Sequence, residues 1–289
     1  KDFFENGISG FMDQLNAIDP KLTQTTNDSS FLFRDYFEII FAQIVIGVAI
    51  VCQPHIITKS LMLKDPSKVN LYLLSSIFFM SIYFLVVFTG LYARLTFPDL
   101  KVDGKPLKMD EIIPTYVVTK FSVAAGVLVV VGLISAGLST LESLIQSLSI
   151  TITTDIIGTV APKSKEKSFM INKVVIVLLA VVSFVLSWEQ IQHPALSVAI
   201  FAQNGVYAYF AAAFVPVLFG TFFKQVPIEV VFTASVVALL SHFGIYYLRI
   251  TPYMQETVNN PGVSAAIAIL ISLGTGLILY TFSTKTTNI

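Results

Sequence analysis

The stretch ISAGLSTLESL, residues 134–144, lies inside a long apolar run. Ser135, Ser139, Thr140 and Glu142 stand where a lipid-facing helix carries leucine, with Ala136 and Gly137 beside them. A polar group in hydrocarbon costs free energy unless it has a partner. The run therefore reads as a membrane span whose polar residues face something other than lipid. Residues three and four apart share a helix face. Ala136, Ser139, Thr140, Ser143 and Ser147 thus form one stripe of small and hydroxylic residues.

Working outward, composition supports the membrane. Hydrophobic residues make up 55% of the 289-residue chain and charged residues 12%, with a mean hydropathy of +0.78. A soluble domain carries about 25% charged residues. The formal net charge is zero, which gives no hold for nucleic acid. One cysteine, Cys52, excludes an intramolecular disulfide, and His55, His193 and His242 lie too far apart in sequence for metal-ligand spacing. Isolated charged groups separated by whole spans offer no nucleophile–base pair, so no enzyme is expected.

Seven spans are expected, over 36–57, 70–96, 122–147, 169–188, 195–223, 228–249 and 262–283. Each is long enough for a hydrocarbon core about 30 Å thick. Satisfying the backbone in lipid makes them helices, since none shows the alternation of barrel strands. Residues 1–35 are polar, begin at Lys1 and read as an outer loop segment of a longer polypeptide. Residues 109–121, MDEIIPTYVVTKF, are amphipathic and too short to span. They read as a short helix in the outer vestibule or as an interfacial loop helix.

Orientation follows from lysines in short loops. Loop 58–69 holds Lys59, Lys64 and Lys68, and loop 159–173 holds Lys163, Lys165, Lys167 and Lys173. Both are expected in the cytoplasm, with the amino-terminal segment outside and the carboxyl end inside. Two spans are expected to be broken. The first carries Gly47 and CQPHIITK, where Pro54 removes a backbone donor. The fifth carries FAQNGVYAY, with Gln203, Asn204 and Gly205 in mid-membrane, and then Pro216. Broken helices are tolerated at membrane depth beside protein or a water-filled cavity, and transporters use them to bind ions and solutes.

The stripe itself has two readings. Ser139 and Thr140 hydroxyls with the Ala136 carbonyl make three oxygens, a set suited to a hard monovalent cation. Small residues at this spacing also mediate close helix packing, and Ser/Thr hydroxyls bond back to their own helix. Glu142 reads as bonding Ser139 and Gln146, or as a gating group.

Residues 135–157, SAGLSTLESLIQSLSITITTDII, resemble the signature helix of the sodium:solute symporter family, where a small residue precedes a hydroxylic pair and an Asp closes the helix, here Asp155. QPHIITKSLMLKDPSK, residues 53–68, resembles the family's broken-helix motif. LNAIDPKL (15–22), ARLTFPDL (93–100) and DEIIPTYVV (110–118) resemble its sodium/pantothenate branch. Cys52 and Ala49 depart from glycines common in the broken helix.

The resemblance implies the following expectations. The fold is an all-α membrane protein, the second five-helix repeat of an inverted-repeat, leucine-transporter-like core over 36–223 plus two accessory helices over 224–289. The first-repeat helices come from the same protein or from a separate chain. Sodium is held by Ala136, Ser139 and Thr140, and solute by Gly47, Gln53, Gln203 and Asn204. The function is sodium-coupled transport of a small organic solute, a carboxylate such as pantothenate, in a bacterial inner membrane or a plasma membrane. No organic cofactor is implied. A non-transporting remnant, or a subunit needing a first-half chain, is the alternative. A seven-helix receptor is a remote one, since the last span lacks a lysine for retinal and no Asp-Arg-Tyr sequence is present.

Overall fold

The structure, a computed structural model, describes residues 2–30, 32–52, 56, 63–162, 167–192, 198–255 and 259–286. Among these, six helices are long and apolar enough to cross a membrane: Pro66–Thr96, Val123–Val160, Ser168–Gln192, Ala202–Phe222, Ile228–Tyr247 and Pro261–Ser283. A shorter apolar helical segment, Phe37–Cys52, occupies the place of the first expected span. Beyond Cys52 the rest of that span, Ile56 apart, lies outside the described residues. The chain is thus an all-α membrane protein. It divides into two compact units, Lys1–Ile77 with Ala199–Ile289, and Phe78–Val198.

The first unit begins with α1 (Asp2–Ile18) where a loop was expected. Phe11 and Leu15, four residues apart, are its buried positions, so the segment has an apolar face despite its polar composition. Asp19 then caps a 3-10 turn, accepting from the Lys21 backbone N–H at 2.9 Å. The apolar segment that follows changes pitch twice. It runs as a π-helix over Phe37–Ala42, as α2 over Gln43–Ala49 and as a 3-10 turn over Ile50–Cys52. The helix therefore leaves α geometry before Pro54, where a break was expected. Gln53, Pro54 and His55 lie outside the described residues.

Three further helices complete this unit: α8 (Val198–Phe222), α9 (Ile228–Tyr247) and α10 (Pro261–Thr286). Ile46, Ala49 and Cys52 share one core with Phe210, Ala211, Phe214, Val215, Phe219, Ala234, Ala238 and Ile269. Small residues bring the backbones close. Gly276 of α10 sits so that a Cβ there would lie 3.0 Å from Val215 Cγ1 and 3.2 Å from Phe219 Cζ. In lipid such van der Waals packing replaces the hydrophobic drive that holds helices together in water.

The second unit contains the later turns of α3 (Val69–Val87), α4 (Thr89–Thr96), α5 (Ile112–Lys120), α6 (Val123–Thr151) and α7 (Ser168–Gln192). Between α4 and α5 a small antiparallel hairpin pairs β1 (Lys101–Val102) with β2 (Lys105–Pro106). Its turn uses Asp103 (φ 49°) and Gly104 (φ 77°). Two consecutive residues with positive φ are the Asp-Gly signature of a tight hairpin turn. Helix α5 occupies the segment expected to be a short non-spanning helix.

Helix α6 starts at Ser122, whose hydroxyl accepts from the Ala125 N–H at 3.4 Å, an N-cap contact. It contains no proline and continues through a π-helical stretch, Ile152–Ile157, into the turn Gly158–Val160. The expected span 122–147 is thereby extended into a 38-residue helical run.

Candidate cation and solute sites

The expected cation residues lie in the middle of α6. Ser139 Oγ donates to Ala136 O at 3.0 Å, and Thr140 Oγ1 donates to the same carbonyl at 2.8 Å. Ser143 Oγ continues the pattern with Thr140 O at 2.9 Å. Two of the three oxygens named from the sequence, the hydroxyls, thus converge on the third, the Ala136 carbonyl, and all three residues are exposed within the chain. Each hydroxyl has one proton and two lone pairs. With the proton turned to Ala136 O, the lone pairs stay available to a cation. The carbonyl is different, because it already accepts two hydroxyls. A cation reaching Ala136 O has to displace at least one of them.

Glu142 is exposed, and the expected bond from Ser139 is replaced by the one to Ala136 O. Ser149, further along the helix, is buried and donates to Gln146 O at 2.9 Å.

The expected solute residues belong to the first unit. Gly47 is exposed on α2, between buried Ile46 and buried Ala49. Gln53 lies outside the described residues. Gln203 and Asn204 are half-buried on α8. The break expected at FAQNGVYAY is absent, and α8 is continuous from Val198 to Phe222. The reason is a partner the sequence did not reveal. His242 of α9 places Nε2 3.0 Å from Asn204 Oδ1 and 3.1 Å from Asn204 O. Asn204 Nδ2 donates to Tyr247 OH at 3.3 Å. On its other side His242 Nδ1 lies 3.2 Å from Ser264 Oγ of α10. With Asn204 satisfied in this way, the helix has no need to open.

Pro216 is accommodated by the same device. A proline inside a helix frees the carbonyl four residues earlier, here that of Ala212. Ser235 of α9 donates to Ala212 O at 2.8 Å. Ser272 of α10 donates to Ala234 O of α9 at 2.9 Å. The half-buried Ser235 and buried Ser272 hydroxyls thus tie α8, α9 and α10 together, as polar groups in lipid-embedded bundles are used.

A second cluster joins the start of the first apolar segment to the approach to α10. Glu38 is fully buried and Arg34 nearly so, and they form an ion pair at 2.6 Å. Glu38 Oε2 also accepts from the Arg34 backbone N–H at 2.7 Å, and Oε1 from Asn260 Nδ2 at 2.9 Å. Beside it Tyr253 OH donates to Asp35 Oδ2 at 2.7 Å. Burial raises the Asp35 carboxyl, but hydrogen bonds from the Glu38 N–H, the Tyr253 hydroxyl and the Phe37 N–H, with the Arg34 charge, bring it below its ordinary 3.8. Burial, with the adjoining Asp35 carboxylate, pushes the Tyr253 hydroxyl up to about 12. The sequence signals were present in both cases. One was an Arg and a Glu four apart at the edge of an apolar run. The other was a lone Asn, His and Ser in three successive spans.

The geometry defines a polytopic helical membrane protein with polar groups bonded inside apolar helices. The sequence model of the sodium:solute symporter family matches residues 3–237. The chain belongs to that family, and the membership points to sodium-coupled transport of a solute across a membrane. Comparison with curated proteins and with solved structures gives no match.

Proposed function

We propose that the chain forms the second repeat and accessory helices of a sodium-coupled symporter for a small carboxylate-bearing solute such as pantothenate. Sodium binds at Ala136 O, Ser139 Oγ and Thr140 Oγ1, and the remaining oxygens come from first-repeat helices of the same protein or of a separate chain. Solute meets Gly47, Gln53, Gln203 and Asn204. The amino-terminal segment lies outside and both lysine-rich loops lie in the cytoplasm. Phe37–Cys52 acts as a seventh span.

The observation that carries this reading is the convergence of two hydroxyls on Ala136 O, on an exposed face of an apolar helix. Lipid is a poor neighbour for that stripe, whereas a cation passing between two helix groups uses such oxygens. Rocking one group against the other then opens the site to each side in turn.

The test is uptake of radiolabelled pantothenate into proteoliposomes made with the natural polypeptide, across a sodium series. Replacing Ser139→Ala and Thr140→Val together removes two ligands at nearly constant volume. A hydrogen-bond-like contact to a charged partner is worth about 1.5–3 kcal/mol, so the sodium half-saturation should rise roughly tenfold or more. Ser76→Ala is the control, since Ser76 Oγ back-bonds to Tyr72 O at 2.9 Å on a different helix. Unchanged sodium dependence in the double variant would return the stripe to helix packing.

A further inference from the structure

We propose that His242 is a positioning residue for solute recognition: it fixes the Asn204 side chain so that one N–H and one oxygen lone pair face the solute. The proposal rests on the reading of Asn204 as a solute residue. It adds which chemistry Asn204 presents and what holds it there.

The hydrogen-bond pattern is determined by its acceptors. Backbone O of Asn204 can only accept, and it lies 3.1 Å from His242 Nε2. Nε2 therefore carries the proton. That N–H is shared with Asn204 Oδ1 at 3.0 Å. In the neutral ring Nδ1 is then an acceptor; Ser264 Oγ lies 3.2 Å away, its single proton shared between Nδ1 and Pro261 O. Ser264 is itself held on α10, with its hydroxyl 3.0 Å from Pro261 O. His242 and Ser264 are both fully buried. The imidazole of α9 is thereby held between α8 and α10, and its tautomer is set by the Asn204 carbonyl.

This orients the Asn204 amide. Oδ1 is turned toward His242 and Nδ2 toward Tyr247 OH at 3.3 Å. A primary amide has two donors and two lone pairs. His242 and Tyr247 use one of each. A donor and an acceptor remain, side by side on a half-buried residue. That pair suits a solute group that both accepts and donates, a hydroxyl or an amide, rather than a bare carboxylate. Without His242 the amide is free to rotate, and the pair no longer has a fixed direction.

The test is the kinetics of radiolabelled pantothenate uptake at saturating sodium. His242→Leu should raise the solute KM about tenfold with maximal rate changed less than twofold. His242→Gln, whose amide can donate to Asn204 O, should recover most of the loss. Tyr247→Phe removes one exposed hydroxyl and should raise KM about threefold; it serves if His242→Leu does not fold. Ser272→Ala breaks a buried bond between α10 and α9 without touching Asn204, and its KM should equal that of the wild type. A KM raised equally by Ser272→Ala would show a packing effect and overturn the proposal. So would an unchanged KM in both His242→Leu and Tyr247→Phe where Asn204→Ala raises it, and the role of Asn204 would then stand alone. An unchanged KM in Asn204→Ala as well would remove Asn204 from the solute path, and His242 with it. A wild type that does not carry pantothenate would overturn both readings.

Discussion

Removing the Glu38 carboxylate should destabilise the first unit more than any other single truncation near the start of its first apolar segment. Glu38 is fully buried, and its two oxygens accept from the Arg34 backbone, the Arg34 guanidinium and the Asn260 amide. Glu38→Ala leaves a guanidinium with little water access and without its counter-charge. Breaking one side of a buried ion pair costs about 3–5 kcal/mol, which for a chain of this size lowers Tm on the order of 10 °C. Removing both charges together is different, because each ion then escapes its desolvation penalty. Arg34→Met with Glu38→Leu should recover most of the loss. The chain supplies its own reporter. Cys52 is its one cysteine and is buried in the first unit's core, so a thiol-reactive fluorogenic dye reads unfolding of that unit directly in nanodiscs. A Glu38→Ala melting curve within about 2 °C of wild type would refute the buried pair. A double variant as unstable as the single one would refute the account of its energetics.

Other outcomes follow from the same geometry. Asp35 and Tyr253 should give stability that falls at both ends of the pH scale. The Tyr253 hydroxyl is raised from 10 to about 12, so its contribution is complete below pH 10 and lost as pH climbs through that interval. The Asp35 carboxyl is lowered from 3.8, so its contribution is present above that pH and lost as pH falls below it. Tyr253→Phe should flatten the alkaline limb, measured as Tm against pH. Gly276→Ala places a methyl 3.0 Å from Val215 Cγ1 and 3.2 Å from Phe219 Cζ, and overpacking of this kind costs about 1–3 kcal/mol, readable by the same Cys52 assay. Single cysteines at Lys68 and Lys167, in a chain with Cys52 replaced by Ser, should be labelled by an impermeant maleimide from the cytoplasmic face alone; opposite labelling would overturn the orientation.

The long spans were legible because runs of twenty apolar residues have few alternatives. Helix α5 was legible for the opposite reason, being amphipathic and too short. Helix α1 was missed although Ile8, Phe11, Leu15 and Ile18 recur at helical spacing, because Gly7 and the polar residues between them read as a loop. The hairpin around Asp103-Gly104 was missed although that dipeptide is a hairpin signal, because strands of two residues leave no alternation to see. The unbroken α8 shows a deeper limit. Gln203, Asn204 and Gly205 read as a break when a polar residue in a span is assumed to need water. Its actual partner, His242, lies 38 residues away, and the register between α8 and α9 is a tertiary fact that neither span carries alone. For the stripe, the sequence indicated the three oxygens and their shared face. It did not indicate that both hydroxyls would be turned onto the carbonyl proposed as their fellow ligand.

Two sets of polar groups are satisfied in different ways, and the difference supports the division of roles proposed for them. In the first unit the hydroxyls of Ser235 and Ser272 and the ring of His242 reach across to other helices. Breaking such a bond means separating helices or leaving a buried group unpaired, which costs about 1–3 kcal/mol for each neutral group. In α6 of the second unit Ser139, Thr140 and Ser143 donate to their own backbone within one turn. Those bonds need no neighbour, survive any movement of the helix and can be exchanged for an ion by rotating one side chain. A ligand set that must form and dissolve in every cycle belongs on groups that fall back on a local partner. A set that must hold a solute-facing amide in one direction belongs on groups fixed from two sides. The first pattern is that of Ser139 and Thr140, and the second is that of Asn204. If the assignment were reversed, with sodium at Asn204 and His242, each turnover would have to break interhelical bonds that also hold α8, α9 and α10 together.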